Sequence, residues 1–243
     1  MRRILVFLVV LVLLAGCSFV SNADNRNPKV ARDLDVSQLA MAEPLAGKVV
    51  VLDPGHGGKD PGAMANDLIE KEVNLVISKY TKRFLEEEGA TVILTRKNDR
   101  EISLEERSEA SEKNDADIFV SIHNNTNELP SIHGTEVYYN EVPYEDASNP
   151  YPEESKRLAE QIYSVLTNGA ELNPMGVKDS GYNVLRNNTV PSVIVEVAFI
   201  SNEDDAERLK DKNQLQQFGQ LIGQGISDYL LGYHSERYAS DAY

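Results

Sequence analysis

The chain has 243 residues, 24 Lys+Arg against 39 Asp+Glu and a formal net charge of −15. A field of that sign repels phosphate backbones and anionic headgroups, so it excludes nucleic acid as a partner and a basic patch as a means of membrane attachment. One Cys in the whole chain leaves no internal disulfide, and the length fits one α/β domain with a sizeable core and no second globular domain.

The N-terminus opens on Arg2 and Arg3, followed by an unbroken apolar run from Ile4 to Leu14. That run is about half the ~20 residues a spanning helix needs, which predicts a cleaved signal peptide over residues 1–16. The segment Leu14-Ala15-Gly16-Cys17 resembles the lipobox of bacterial lipoproteins. It implies that Cys17 is lipidated and becomes the mature N-terminus, with a diacylglyceryl group holding the membrane where a single acyl chain binds only marginally. The rival reading is a short signal anchor with an incidental Cys. Residues 17–44 are polar and mixed, with Asn22, Asn25, Asn27, Pro28 and Pro44 and no apolar period, and read as a flexible tether.

From residue 45 to 231 the pattern becomes regular. Strands are predicted near Lys48–Asp53, Thr91–Thr95, Asp117–His123, Gly134–Asn140, Asn183–Arg186 and Ser192–Phe199. Val73, Val76, Ile77, Tyr80 and Phe84 repeat at helical spacing up to Gly89, a C-cap signal. Further helices are predicted over Leu104 to Lys113, Glu154 to Leu166, and a closing stretch marked by Leu215, Phe218, Ile222, Ile226 and Tyr229. Strands alternating with helices predict βα units and a largely parallel sheet. Residues 232–243 are polar and read as a disordered tail.

The first strand runs into the glycine-dense turn Asp53-Pro54-Gly55-His56-Gly57-Gly58, whose spacing fits neither GxGxxG nor a P-loop. His123 ends the third predicted strand. Ligands gather outside the carboxyl ends of parallel strands, so His56 and His123 share one sheet edge. Glu70, at the start of the first long helix, can return to that edge. Alone, His56 reads as a loop histidine and Glu70 as a helix-dipole acid. Together, two imidazoles and a carboxylate with an open fourth position make the arrangement of a catalytic zinc. Glu196 sits inside the apolar strand Ser192-Val193-Ile194-Val195-Glu196-Val197-Ala198-Phe199. Such a carboxylate is costly unless it is paired or used, so it is either a general base and acid or half of a buried ion pair with Arg96 or Arg107.

Val51-Leu52-Asp53-Pro54-Gly55-His56-Gly57-Gly58, Glu70-Lys71-Glu72-Val73-Asn74-Leu75, Leu94-Thr95-Arg96, Ser121-Ile122-His123-Asn124-Asn125 and Val195-Glu196-Val197-Ala198-Phe199-Ile200-Ser201-Asn202 occur in this order. Together they resemble the successive motifs of the zinc-dependent N-acetylmuramoyl-L-alanine amidases, over about Lys48 to Leu230. The resemblance implies a single domain with a twisted, mostly parallel sheet of about six strands flanked by helices. It implies zinc on His56, Glu70 and His123, with Glu70 rather than Glu72 because the family's ligand is the acid immediately before the Lys of this pair. It makes Glu196 the catalytic carboxylate. The implied reaction is hydrolysis of the amide between N-acetylmuramic acid and L-alanine in peptidoglycan. Asp53 is read either as an acceptor that fixes an imidazole tautomer or as a strand-end turn carboxylate.

His133 and His234 are assigned no role, and Arg96 and Arg107 are expected to brace loops or pair with acids. Glu141, Glu145, Asp146, Glu153 and Glu154 form a solvated acidic loop. The stretch from Glu141 to Pro152 is too short and Pro-rich for the helical plug that some relatives carry over the zinc. The protein is expected to be an exported monomer, lipid-anchored to the outer face of a bacterial membrane. Two other functions compete: a lipoprotein that binds peptidoglycan without cutting it, and a zinc peptidase acting on stem peptides.

Overall fold

The computed structural model describes residues 43–141 and 149–232. The expected signal peptide, Cys17, the tether through residue 42, Glu145, Asp146, His234 and the tail beyond Gly232 lie outside the described residues.

Six strands form one sheet: β1 (Val49–Pro54), β4 (Thr91–Leu94), β5 (Ile118–Asn125), β6 (Thr135–Tyr139), β7 (Pro174–Asp179) and β8 (Ser192–Phe199). A small hairpin, β2 (Met64–Ala65) and β3 (Leu68–Ile69), stands apart. The order across the main sheet is β4-β1-β5-β8-β6-β7, parallel throughout except where β6 meets β8. The expected α/β domain with a mostly parallel six-stranded sheet is therefore what the chain adopts.

The helices are α1 (Glu70–Glu87), α2 (Leu104–Lys113), α3 (Pro152–Ala170), α4 (Asn183–Arg186), α5 (Glu203–Lys210) and α6 (Lys212–Leu230). Helix α1 stops where the sequence predicts: Gly89 takes φ +93°, which a side chain disfavours, and turns the chain into β4. Alternating strand residues point to opposite faces. Ile118, Val120 and Ile122 of β5 join Ile77, Leu158, Ile162, Phe218 and Ile222 in the main core under α1, α3 and α6. Phe119, Val51 and Ile194 face the other way, in a smaller cluster that includes Val184 and Leu185 of α4 and Ala110 of α2. One face is thickly covered and the other has two short helices on it. That asymmetry leaves room for a cleft.

Besides the hairpin β2–β3, which the sequence reading did not include, three elements differ from it. Asn183–Arg186, expected as a strand, is the single-turn helix α4. Val184 and Leu185 are adjacent yet both buried in the same cluster, and a strand's alternation cannot point neighbours to one side. Strand β7 was unforeseen because Pro174 and Gly176 erase its signal; it lies at the sheet's edge, where Pro is tolerated. Helix α5 was also unforeseen, since only Asp205, Ala206 and Leu209 are buried in it. Its start is nevertheless capped, with Asn202 accepting from the Asp205 backbone N–H.

Candidate metal centre and cleft

Three side chains meet at the carboxyl end of β1 and β5. His56 lies in the turn after β1 with φ +60°, a left-handed conformation rare outside glycine. The conformation is enforced from two sides. Arg107 donates to the His56 carbonyl at 2.7 Å and to the Pro54 carbonyl at 3.0 Å, while buried Arg96 donates to the carbonyls of Pro54 at 2.8 Å and Gly55 at 2.8 Å. Arg96 also reaches the Lys71 carbonyl at 2.7 Å, tying the turn to the first residues of α1. Both arginines therefore brace loops, as their positions led one to expect.

Glu70 arrives through the β2–β3 hairpin. Asn66 and Asp67 turn it with positive φ of 49° and 60°, the conformation that Asn and Asp tolerate in tight hairpins. The chain then enters α1 at Glu70 itself. Glu70 Oε1 lies 3.1 Å from His56 Nε2 and 3.0 Å from His123 Nδ1. Its other oxygen accepts from the Ala63 backbone N–H at 2.8 Å, and Asn74 and the Asn124 N–H hold Oε1. The imidazoles stand edge to face, with centroids 4.8 Å apart. The ligand atoms of His56, Glu70 and His123 all fall within 4.8 Å of one another. His123 can stand there only because Gly55 has no side chain: a Cβ would sit 2.2 Å from the ring.

The charges respond to this crowding. Burial pushes Glu70 up, yet the hydrogen bonds and charge of His123 and His56 outweigh it and hold the carboxyl well below the usual range. Burial lowers His56, but Glu70 and Asp60 more than offset that and push it up to about 9.

Asp53 does not do what the tautomer reading supposed. Its carboxylate is taken by Thr95 Oγ1 at 2.6 Å, Arg107 Nη1 at 2.6 Å and Ser121 Oγ at 2.8 Å, so it supports the arginine that holds the turn. The acceptor on an imidazole is Asp60, whose Oδ2 is 2.7 Å from His56 Nδ1 and leaves Nε2 facing Glu70. Its place four residues after His56 inside a glycine turn was the available signal. His133 is exposed, with its ring Nδ1 3.0 Å from the Ser131 carbonyl.

Glu196 lies beside His123 in the register of β8 against β5. Among the described residues it has no cation partner: Arg107 is paired with Asp53 and Arg96 is spent on carbonyls. Its Oε2 is buried without a hydrogen-bond partner. Burial, reinforced by the neighbouring carboxylates of Glu70 and Glu136 and opposed by the imidazoles, pushes its pKa up to about 7. The ion-pair reading of Glu196 thus finds no partner among the described residues.

A cleft of about 560 Å³ opens over these groups on the thinly covered face. His56, His123, Asp60 and Glu196 form its floor; Ile102, Leu104, Val184 and Tyr182 form its walls. Two nitrogen ligands and one carboxylate, with a protonatable Glu beside them and open space above, suit a divalent metal of zinc's preference with a position left for substrate.

A family model described as N-acetylmuramoyl-L-alanine amidase matches residues 50–228, and one described as a prokaryotic membrane lipoprotein lipid attachment site matches residues 1–18. The N-acetylmuramoyl-L-alanine amidase LytC of Bacillus subtilis is 39% identical over 210 residues, which cover 86% of this chain and 40% of LytC. Among solved structures, the catalytic domain of CwlV, an N-acetylmuramoyl-L-alanine amidase from Bacillus (Paenibacillus) polymyxa var. colistinus, superposes with TM-score 0.68 at 32% identity. The match covers 75% of this chain and 98% of that one. The CwlD amidase of Clostridioides difficile, solved in complex with the GerS lipoprotein, gives TM-score 0.68 at 31% identity, covering 75% and 98%.

Proposed function

Because the chain belongs to the N-acetylmuramoyl-L-alanine amidase family, we propose that it is a zinc-dependent hydrolase. Its substrate bond is the amide joining the lactyl group of N-acetylmuramic acid to L-alanine in peptidoglycan. The observation that carries the reading is His56, Glu70 and His123 within 4.8 Å of one another beside the unpartnered, buried carboxylate oxygen of Glu196.

His56 Nε2, a Glu70 oxygen and His123 Nδ1 would hold the zinc. Once bound, it supplies Lewis acidity towards a carbonyl and eases deprotonation of water near neutral pH. Asp60 fixes His56 by engaging Nδ1, so the ring presents Nε2 inward. Asn74, Ala63 N–H and Asn124 N–H fix Glu70 in the same way. Glu196 is the proton carrier. With a pKa near 7, its carboxylate takes a proton from the attacking water and, as the acid, returns it to the departing alanine nitrogen. A binding module would need no such group, and nothing among the described residues occupies Glu196 otherwise.

Residues 1–16 serve as the signal peptide, Cys17 carries the lipid and residues 17–44 tether the catalytic domain to the outer face of a bacterial membrane. The chain acts as a monomer on wall close to that membrane.

The test is Glu196→Gln measured with zinc content in parallel. General-base loss costs ~10²–10⁴ in turnover, with one zinc retained. Turnover within about tenfold of wild type would remove Glu196 from the mechanism.

A further inference from the structure

The thinly covered sheet face continues past the catalytic cleft, and the polar groups on that continuation are organised. Cross-strand partners share a face, and His123, Glu196 and Glu136 stand in one row across β5, β8 and β6. Two residues on, Tyr138 lies on the same face of β6 and is aligned with Lys178 of the edge strand β7. Tyr138 also meets Tyr182, a wall of the cleft, edge to face at 5.4 Å.

Glu136 is engaged by three donors. Its Oε2 accepts from Tyr138 Oη at 2.6 Å and Asn125 Nδ2 at 3.0 Å, and its Oε1 is engaged by Lys178 Nζ. Its side chain is only 5% exposed, whereas that of Lys178 is 40% exposed. The more exposed side chain of this pair is therefore Lys178, whose ammonium is held beside the buried carboxylate. An ammonium has three donors, and Glu136 is its one described partner. The mechanism above uses neither residue.

We propose that Lys178 is a specificity-determining residue that binds an anionic group of the stem peptide, the carboxylate of the residue following L-alanine. The proposal rests on the amidase reading and extends it. Distance favours that residue over later ones. Adjacent strands lie about 4.8 Å apart, so an ammonium drawn onto Glu136 stands roughly one to two strand spacings from the Glu196 backbone. An extended peptide advances about 3.3–3.6 Å per residue. One residue beyond the alanine nitrogen therefore brings a carboxylate into that interval. On a chain with net charge −15, a local cation offsets the repulsion that an acidic peptide meets on approach.

The experiment compares two muramoyl dipeptides whose second residue bears either a free α-carboxylate or its carboxamide, using full-length, zinc-loaded protein. Wild type is expected to prefer the carboxylate by about tenfold or more in kcat/KM, the scale of a charge-assisted hydrogen bond. Lys178→Arg should keep the preference. The double variant Glu136→Gln/Lys178→Met, which removes both charges together, should bring the ratio close to one, read mainly in KM. A wild-type ratio near one, or a preference that survives in the folded double variant, overturns the assignment of Lys178. Cleavage of neither substrate by wild type overturns the amidase reading and this inference with it.

Discussion

The chemistry is concentrated in single atoms whose surroundings can be altered one at a time. Gly55→Ala would drive a Cβ to 2.2 Å from the His123 ring. It should lower zinc affinity at least tenfold with the fold retained, as competition with a chromophoric chelator would read. Glu196 offers a second test through stability. In zinc-free protein its folded pKa is raised to about 7 from 4.5, so the neutral form is the one the fold prefers. Its contribution is intact below about pH 4.5 and is lost as pH climbs through 7. Glu196→Gln, which never ionises, should match wild type near pH 4 and melt several degrees higher at pH 8, since the shift amounts to about 3 kcal/mol. Equal melting shifts at both pH values would mean that Glu196 is not desolvated. At this scale the sequence was eloquent about types and weak about partners. A carboxylate in an apolar strand announces itself, but whether Asp53 or Asp60 meets an imidazole depends on a turn with φ +60° at His56, which no side-chain pattern encodes.

Elements place those atoms. The turn after β1 has little regular secondary structure of its own and is held by Arg96 and Arg107, whose hydrogen bonds run to carbonyls of Pro54, Gly55, His56 and Lys71. Arg107 is also the cation for buried Asp53 at 2.6 Å. Arg107→Met should leave that carboxylate buried with only Thr95 and Ser121, costing about 3 kcal/mol and on the order of 10 °C in Tm. Zinc affinity should fall with it, because the His56 carbonyl loses its donor. A melt unchanged within a degree or two would contradict the bracing role. Long elements were legible in the sequence: α1, α3 and α6 because their buried residues recur at helical spacing, and β5 and β8 because burial makes them nearly unbroken apolar runs. Short ones were not. In α4 a single turn carries two adjacent buried residues, and in β7 an edge position permits the Pro and Gly that erase the strand signal.

For the molecule as a whole, one arrangement explains why the site lies where it does. Helices α1, α3 and α6 bury one face of the sheet, and α2 and α4 leave the other partly open, so the carboxyl ends of β1, β5 and β8 meet at the floor of a cleft. A lipoprotein lipid attachment model matches residues 1–18, and the proposed anchor at Cys17 is testable. Cys17→Ala should shift the protein from the membrane to the soluble fraction, or stall its maturation, while activity per folded molecule stays within about twofold. Membrane retention of the variant with the leader removed would point to another anchor. The parallel order of the sheet could be anticipated from alternating strands and helices. The antiparallel entry of β6 beside β8 could not, since strand neighbours far apart in sequence leave no local trace. The central claim is the bond that is cut, and it is tested most directly by digesting purified peptidoglycan with zinc-loaded protein and identifying the new termini by mass spectrometry. The account predicts free lactyl carboxylates on muramic acid paired with free amino groups on L-alanine, abolished by chelation and restored by zinc. New termini within the stem peptides, or release unaffected by chelation, would contradict it.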